Sequence, residues 1–228
     1  MHNLHFSDFS HQFPNNVQAI ISRRHIISDS DRTIYPLTDI VSYLAVKREL
    51  LAIPHQVHSN HVHWVDSPGN YPEIDGLISS NRSIILSLQV ADCVPLYLFD
   101  PEQRIIGLVH SGWRGTVQNI TNKAVNLMAE NGSNPGNIIA YIGPSIQQCH
   151  YQIGEEVANQ FAENNVISDE DKYFLDLSGE ISDQLVMSGL NEKNIKRSDV
   201  CTFEDVSCCS YRRDGEKAGR MFAFMRMI

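Results

Sequence analysis

Apolar positions fall into short β-rich runs over most of the chain and into helical spacing mainly in its later part. The runs "NVQAIISRRH", "HVHWVD", "GLISS", "SIILSLQV", "VPLYLFD", "RIIGLVH", "IIAYIGPSI" and "VCTFEDV" are rich in branched and aromatic residues and predict strands. "TVQNITNKAVNLMAENG" differs: Val117, Ile120, Ala124, Leu127 and Met128 recur at steps of three and four, which predicts a helix stopped by Gly132. "GEEVANQFAENN" and "ISDQLVMSGL" predict shorter helices with Val157, Phe161 and Leu185 turned inward. Strands come early and helices mostly late, so the expected class is α+β, with mixed β-sheets flanked by helices rather than a regular βαβ alternation. No repeat, low-complexity tract or linker interrupts the 228 residues, and 42% of them are hydrophobic, so residues 1–228 read as one domain. "SPGNYPEIDG", Ser67 to Gly76, reads as a loop lying over a pocket.

Charge narrows the possible partners. With 18 basic and 27 acidic residues the net charge is −9, the wrong sign for a nucleic acid polymer or an anionic membrane surface. A local basic pocket can still hold one small anion. The start "MHNLHFSDFSHQF" lacks a secretory pattern, and no apolar run approaches the roughly 20 residues that span a bilayer, so a cytoplasmic location is expected. Five irregularly spaced cysteines read as free thiols in a reducing compartment.

The chemistry gathers at strand ends. "SIILSLQVADC" ends in Asp92 and Cys93, and "RIIGLVHSGW" carries His110 and Ser111 at its end. In "PHQVHSN", Gln56 and His58 share a face if the segment is extended. Convergence of these ends would place His58, Cys93 and His110 around one zinc ion with a fourth position open. The same atoms also fit a Cys93 nucleophile activated by His110, as in a cysteine hydrolase. Spacing leaves both readings open.

Two further segments suit anions. In "HSGWRGT", Gly112 and Gly115 let backbone approach a ligand, Thr116 is expected to cap the following helix, and Arg114 offers a forked cation. In "CCSYRRDG", Tyr211 stands beside Arg212 and Arg213, a second candidate clamp.

Taken in order, "QVHSN", "ADCVPLYLFD", "GLVHSGWRGT", "YIGPSIQQCHYQIGEEV" and "CTFEDVSCCSYRRDGEKAGRM" resemble the YfiH family across residues 56 to 221. That family was long labelled multicopper polyphenol oxidoreductase, or laccase-like, and is now described as purine nucleoside phosphorylases with adenosine deaminase activity. The resemblance implies an α+β fold and a zinc site at His58, Cys93 and His110. It also implies phosphorolysis of adenosine, inosine, guanosine and methylthioadenosine. Against the family pattern, Ser145 stands where many relatives carry cysteine, while Cys149 and His150 are retained, with Cys149 expected to line the pocket. Cys208 and Cys209 replace commonly apolar residues and are expected to pack. His61 and His63 are expected at the surface, and His2, His5, His11, His25 and His55 have no motif support.

The implied chemistry assigns phosphate to Arg114 and Arg212 and base stacking to Tyr211 or Phe203. Asp92 is expected to cap or orient its turn. The rival reading, copper-dependent phenol oxidation, needs about ten histidines and a histidine–cysteine–histidine element, and that element is absent here. A third reading is a zinc-stabilised binding protein whose closed site Cys149 or His150 would complete.

Overall fold

A computed structural model describes residues 6–14, 16–24, 41 and 46–228; His2, His5 and His25 lie outside them. Two-residue alternation along each strand builds the layers. In Val94–Asp100, Tyr97 and Phe99 enter a core between two sheets, while Leu96 and Leu98 enter a second core beneath helices. Ile105–Ser111 divides in the same way, with Ile106 and Leu108 on the inter-sheet side and Ile105 and Val109 on the other.

The first sheet runs Ile195–Arg197, Ile139–Ile142, Val94–Asp100, Ile105–Ser111, Gly76–Ser79, Val62–Trp64. The second runs Phe6–Asp8, Val17–Ser22, Met221–Met227, Ile85–Val90, Leu51–His55, Gly69–Pro72. Each mixes parallel and antiparallel pairs. Ile21, Leu86, Leu88 and Ala223 of the second sheet share a core with Leu77, Tyr97 and Leu108 of the first. On the far side of the first sheet lie helices Ile120–Glu130 and Leu177–Met187, which bury Ile120, Ala124, Met128, Ile181 and Leu185. The class is therefore α+β with mixed sheets and flanking helices. Among the described residues no helix is long and apolar enough to cross a membrane.

Four local expectations change. "VCTFEDV" is not a strand: Cys201 makes one isolated bridge to Ser145, and the chain then turns as Asp205 N–H donates to Cys201 O and Asp205 Oδ1 accepts from Ser207 N–H. Local side-chain bonds of this kind compete with a sheet ladder. The long predicted helix is two, Trp113–Val117 and Ile120–Glu130, because Asn119 between them adopts φ +59°. Only Glu155–Ala158 of "GEEVANQFAENN" is α-helical, and farther along the Asn164 and Asn165 amides donate to Asp183 instead. "SPGNYPEIDG" is partly strand and does not cover the main cavity: Gly69–Pro72 pairs with Leu51–His55 at a sheet edge, and Pro68, Gly69 and Asn70 line a smaller pocket with Arg48 and Glu49.

Candidate functional site

Sheet pairing brings the polar strand ends together. Val94–Asp100 and Ile105–Ser111 run antiparallel with Val94 opposite Ser111, so Cys93 emerges beside the chain leaving His110. Gly112 passes so close that a Cβ there would sit 2.9 Å from Cys93 Sγ and 3.3 Å from His58 Cδ2. Gly76–Ser79 pairs with Ile105–Ser111 with Gly76 opposite Val109, which sets Asp75 against His110. One donor atom each from His58, Cys93 and His110 lies within 4.8 Å of the others. The His58 and His110 rings meet edge-on, 4.9 Å between centroids.

The segment carrying His58 is not extended, contrary to expectation. Leu51–His55 ends before it, and His58 has φ +59°. Gln56 fastens the strand end by donating to Gln89 O and accepting from Gln89 N–H, both at 2.8 Å. Beyond it, the buried carboxylate of Asp75 accepts from the N–H groups of Val57, His58 and Ser59 at 3.2, 3.1 and 2.7 Å. Asp75 Oδ1 also lies 2.8 Å from His110 Nδ1, so one carboxylate orients the His110 imidazole and fixes the backbone that carries His58. Sequence reading missed Asp75, which directly precedes "GLISS" but falls in a segment that reads as loop.

The electrostatics follow from this packing. Burial alone would raise the Asp75 carboxyl, but hydrogen bonds from His110 and Ser59 bring it down to about 2. Burial likewise opposes ionisation of Cys93, yet His110 and then His58 pull the thiol down to about 6. His110, penalised by burial, is raised to about 9 by Cys93 and Asp75. The thiol is thus poised as thiolate, the form that binds a metal or attacks an electrophile. Two imidazoles and a thiolate, one imidazole backed by a carboxylate, fit a borderline-soft divalent ion.

These donors open on a cavity of about 630 Å³, also lined by Arg114, Tyr151, Tyr211, Arg212 and Arg220. Arg114 lies 4.3 Å over the Trp113 ring. Arg212 donates to Gln152 O at 2.8 Å and rests over Tyr151. Tyr151 and Arg220 were not singled out beforehand, although both lie in quoted motifs. Asp92, at φ +80°, accepts from Thr202 Oγ1 at 2.6 Å and from Arg212 N–H at 2.7 Å, orienting its turn as expected.

Other assignments change. Arg213 faces backbone, donating to the carbonyls of Thr202, Phe203 and Cys208, and does not line the cavity. Phe203 stacks on His150 at 4.6 Å and is likewise outside the cavity wall. Cys149 does not line the cavity either; with His150 and Cys201 it forms a separate cluster, so neither Cys149 nor His150 closes the first site. Thr116 lies inside its helix, where its hydroxyl donates to Gly112 O, and Gly112 is the N-cap. Gly112 and Gly115 approach protein atoms, Cys93 Sγ and Ser59 O. Cys208 and Cys209 are buried in the core, and His61 and His63 are exposed, all as expected.

Residues 28–228 match the family described as multi-copper polyphenol oxidoreductase laccase. A "Purine nucleoside phosphorylase" of Deinococcus radiodurans is 37% identical over 74% of this chain, which spans 66% of that relative's length. "Adenosine deaminase RL5", from an unknown prokaryotic organism, is 30% identical over 87% of this chain and 83% of its own. The crystal structure of the Bacillus licheniformis hypothetical protein YfiH superposes with TM-score 0.86 and 26% identity, covering 93% of each chain.

Proposed function

Since the chain belongs to this family of enzymes, we propose that it is a purine nucleoside phosphorylase that also deaminates adenosine, acting on adenosine, inosine, guanosine and methylthioadenosine. The observation that carries the reading is the meeting of His58, Cys93 and His110 at the wall of a cavity bearing Arg114, Arg212 and Arg220. A cavity near 630 Å³ is of the size that encloses a small ligand.

His58, Cys93 and His110 would hold the metal, zinc by its donor set. When bound, zinc supplies Lewis acidity at the position that three protein ligands leave open. The arginines bind phosphate and aim one of its oxygens at the anomeric carbon. As that C–O bond forms, the glycosidic C–N bond breaks; the purine leaves with the electron pair and takes up a proton, giving free base and ribose 1-phosphate. The bound phosphate's negative charge offsets positive charge growing on the ribose. Tyr211 and Tyr151 flank the space available to the base. Asp75 holds the His110 tautomer and the 57–59 backbone, so the donors keep their geometry while substrate exchanges.

Copper-dependent phenol oxidation is disfavoured by ligand supply: His58, Cys93 and His110 are the only metal-ligand group on this cavity among the described residues. The lowered Cys93 thiol beside His110 favours one second reading, a cysteine-nucleophile hydrolase. Zinc-loaded protein with a nucleoside panel, with and without phosphate, tests these by mass spectrometry. Adenine and ribose 1-phosphate from adenosine with phosphate, abolished by chelation, are expected. Product formed only from a phenol with copper, or hydrolysis indifferent to chelation and phosphate, would overturn the proposal.

A further inference from the structure

Away from the cavity, a second set of donors comes together. Cys149 Sγ lies 3.1 Å from His150 Nδ1, and Cys201 Sγ lies 3.6 Å from the same nitrogen. Donor atoms of all three fall within 4.8 Å of one another. The nucleoside chemistry proposed above uses none of them.

The local structure holds this set in place. The turn Gln148–His150 presents Cys149 and His150. The isolated bridge between Ser145 and Cys201, extended by Thr202 N–H donating to Ser145 O at 3.0 Å, brings Cys201 across from a distant part of the chain. Phe203 stacks on the His150 ring and fixes its plane. Gln147 N–H donates to Cys201 Sγ at 3.5 Å. Glu204 Oε1, exposed, stands 3.8 Å from His150 Nδ1. Cys201 is buried, His150 half-buried and Cys149 exposed, so an ion can arrive from solvent.

We propose that Cys149, His150 and Cys201 form a second metal site, for a divalent cation of the zinc class, with Glu204 or water as fourth ligand. Two sulfurs and one imidazole match the soft donors this ion takes in tetrahedral sites. Each ion bound releases the protons of whichever of the two thiols is protonated. The ion would staple the Gln148–His150 turn, next to the cavity residue Tyr151, to the segment whose Thr202 hydroxyl holds Asp92 beside Cys93.

The test uses the full chain with zinc or cobalt as probe. After zinc loading and desalting, Cys149→Ser/Cys201→Ser should carry about one zinc fewer per chain than the wild type. Its nucleoside turnover should stay within about twofold. In a His58→Ala/His110→Ala background, cobalt(II) should still give a thiolate charge-transfer band, and adding Cys149→Ser should abolish it. If the serine pair folds poorly, His150→Gln serves instead, with the same loss of one ion expected. Equal zinc content in wild type and variant, or no cobalt–thiolate band in the His58→Ala/His110→Ala protein, overturns the site. A mass showing a Cys149–Cys201 disulfide in protein kept under reductant does so too, since those sulfurs would then be spent on each other.

Discussion

Among the described residues stand two clusters of imidazole and thiol, drawn from the same residue types in opposite proportion and built on different supports. His58, Cys93 and His110 sit at strand ends, backed by the buried Asp75 carboxylate, and face a large cavity. Cys149, His150 and Cys201 sit on turns joined by one bridge, with Cys149 open to solvent. Strand ends tied by paired neighbours hold a geometry while one position stays free for reactants. Turns fastened by few bonds hold less by themselves and gain more from an ion that links them. On the roles proposed for them, donor type alone would not separate a reactive centre from a staple; the backing would.

The largest expected effect tests that division directly. Cys93→Ala or His110→Ala should lower phosphorolysis by at least about a hundredfold and remove the first ion, read by turnover and metal analysis. A comparable loss of turnover in Cys149→Ser/Cys201→Ser would erase the distinction between the clusters. Next, Asp75→Asn should weaken metal affinity at the first centre by about 10- to 100-fold, read by titration against a competing chelator. Unchanged affinity would mean that the carboxylate only braces the backbone.

Gly112→Ala should follow, because its Cβ would stand 2.9 Å from Cys93 Sγ and displace it. A drop of about tenfold in turnover is expected, with the second cluster's cobalt spectrum unaltered. Arg212→Ala and Arg220→Ala should each raise KM for phosphate about tenfold, roughly 1.4 kcal/mol, with zinc content unchanged.

The smallest effect concerns acid. Burial pushes the Asp214 carboxyl up, but Arg213 and Arg24 outweigh it and hold the group at about 2, against an ordinary 3.8. Its folded-state value is depressed, so its contribution to stability is complete above about pH 4 and is lost as pH falls toward about 2. The unfolding midpoint should fall across that window, and Asp214→Asn should flatten the fall. Because Asp214 ends the helix Tyr211–Asp214 that carries Arg212, phosphate affinity should weaken with it.

Much of the first cluster was legible because each member ends or follows an apolar run, and a polar residue there is conspicuous. Asp75 was not, since its segment, rich in Pro, Gly and Asn, reads as loop, and its partner strand lies far along the chain. Adjacent Arg212 and Arg213 look alike in sequence; only packing puts Arg212 on the cavity wall, where it also donates to Gln152 O, and turns Arg213 onto the carbonyls of Thr202, Phe203 and Cys208. The helix break at Asn119 arose from its left-handed backbone, and the lost strand at "VCTFEDV" from local side-chain bonding that overrode apolar periodicity.

The sequence by itself determined which residues alternate into strands, the net charge of −9, and which thiols and imidazoles stand at the ends of buried runs. These are local properties, set by side-chain chemistry and a period of two or 3.6 residues. Tertiary structure alone decided that Asp75 meets His110, that Gly112 passes against Cys93, and that Cys149, His150 and Cys201 form a group of their own. Each depends on which strands and turns become neighbours, and that choice is made by burial of the whole core rather than by any segment's own pattern.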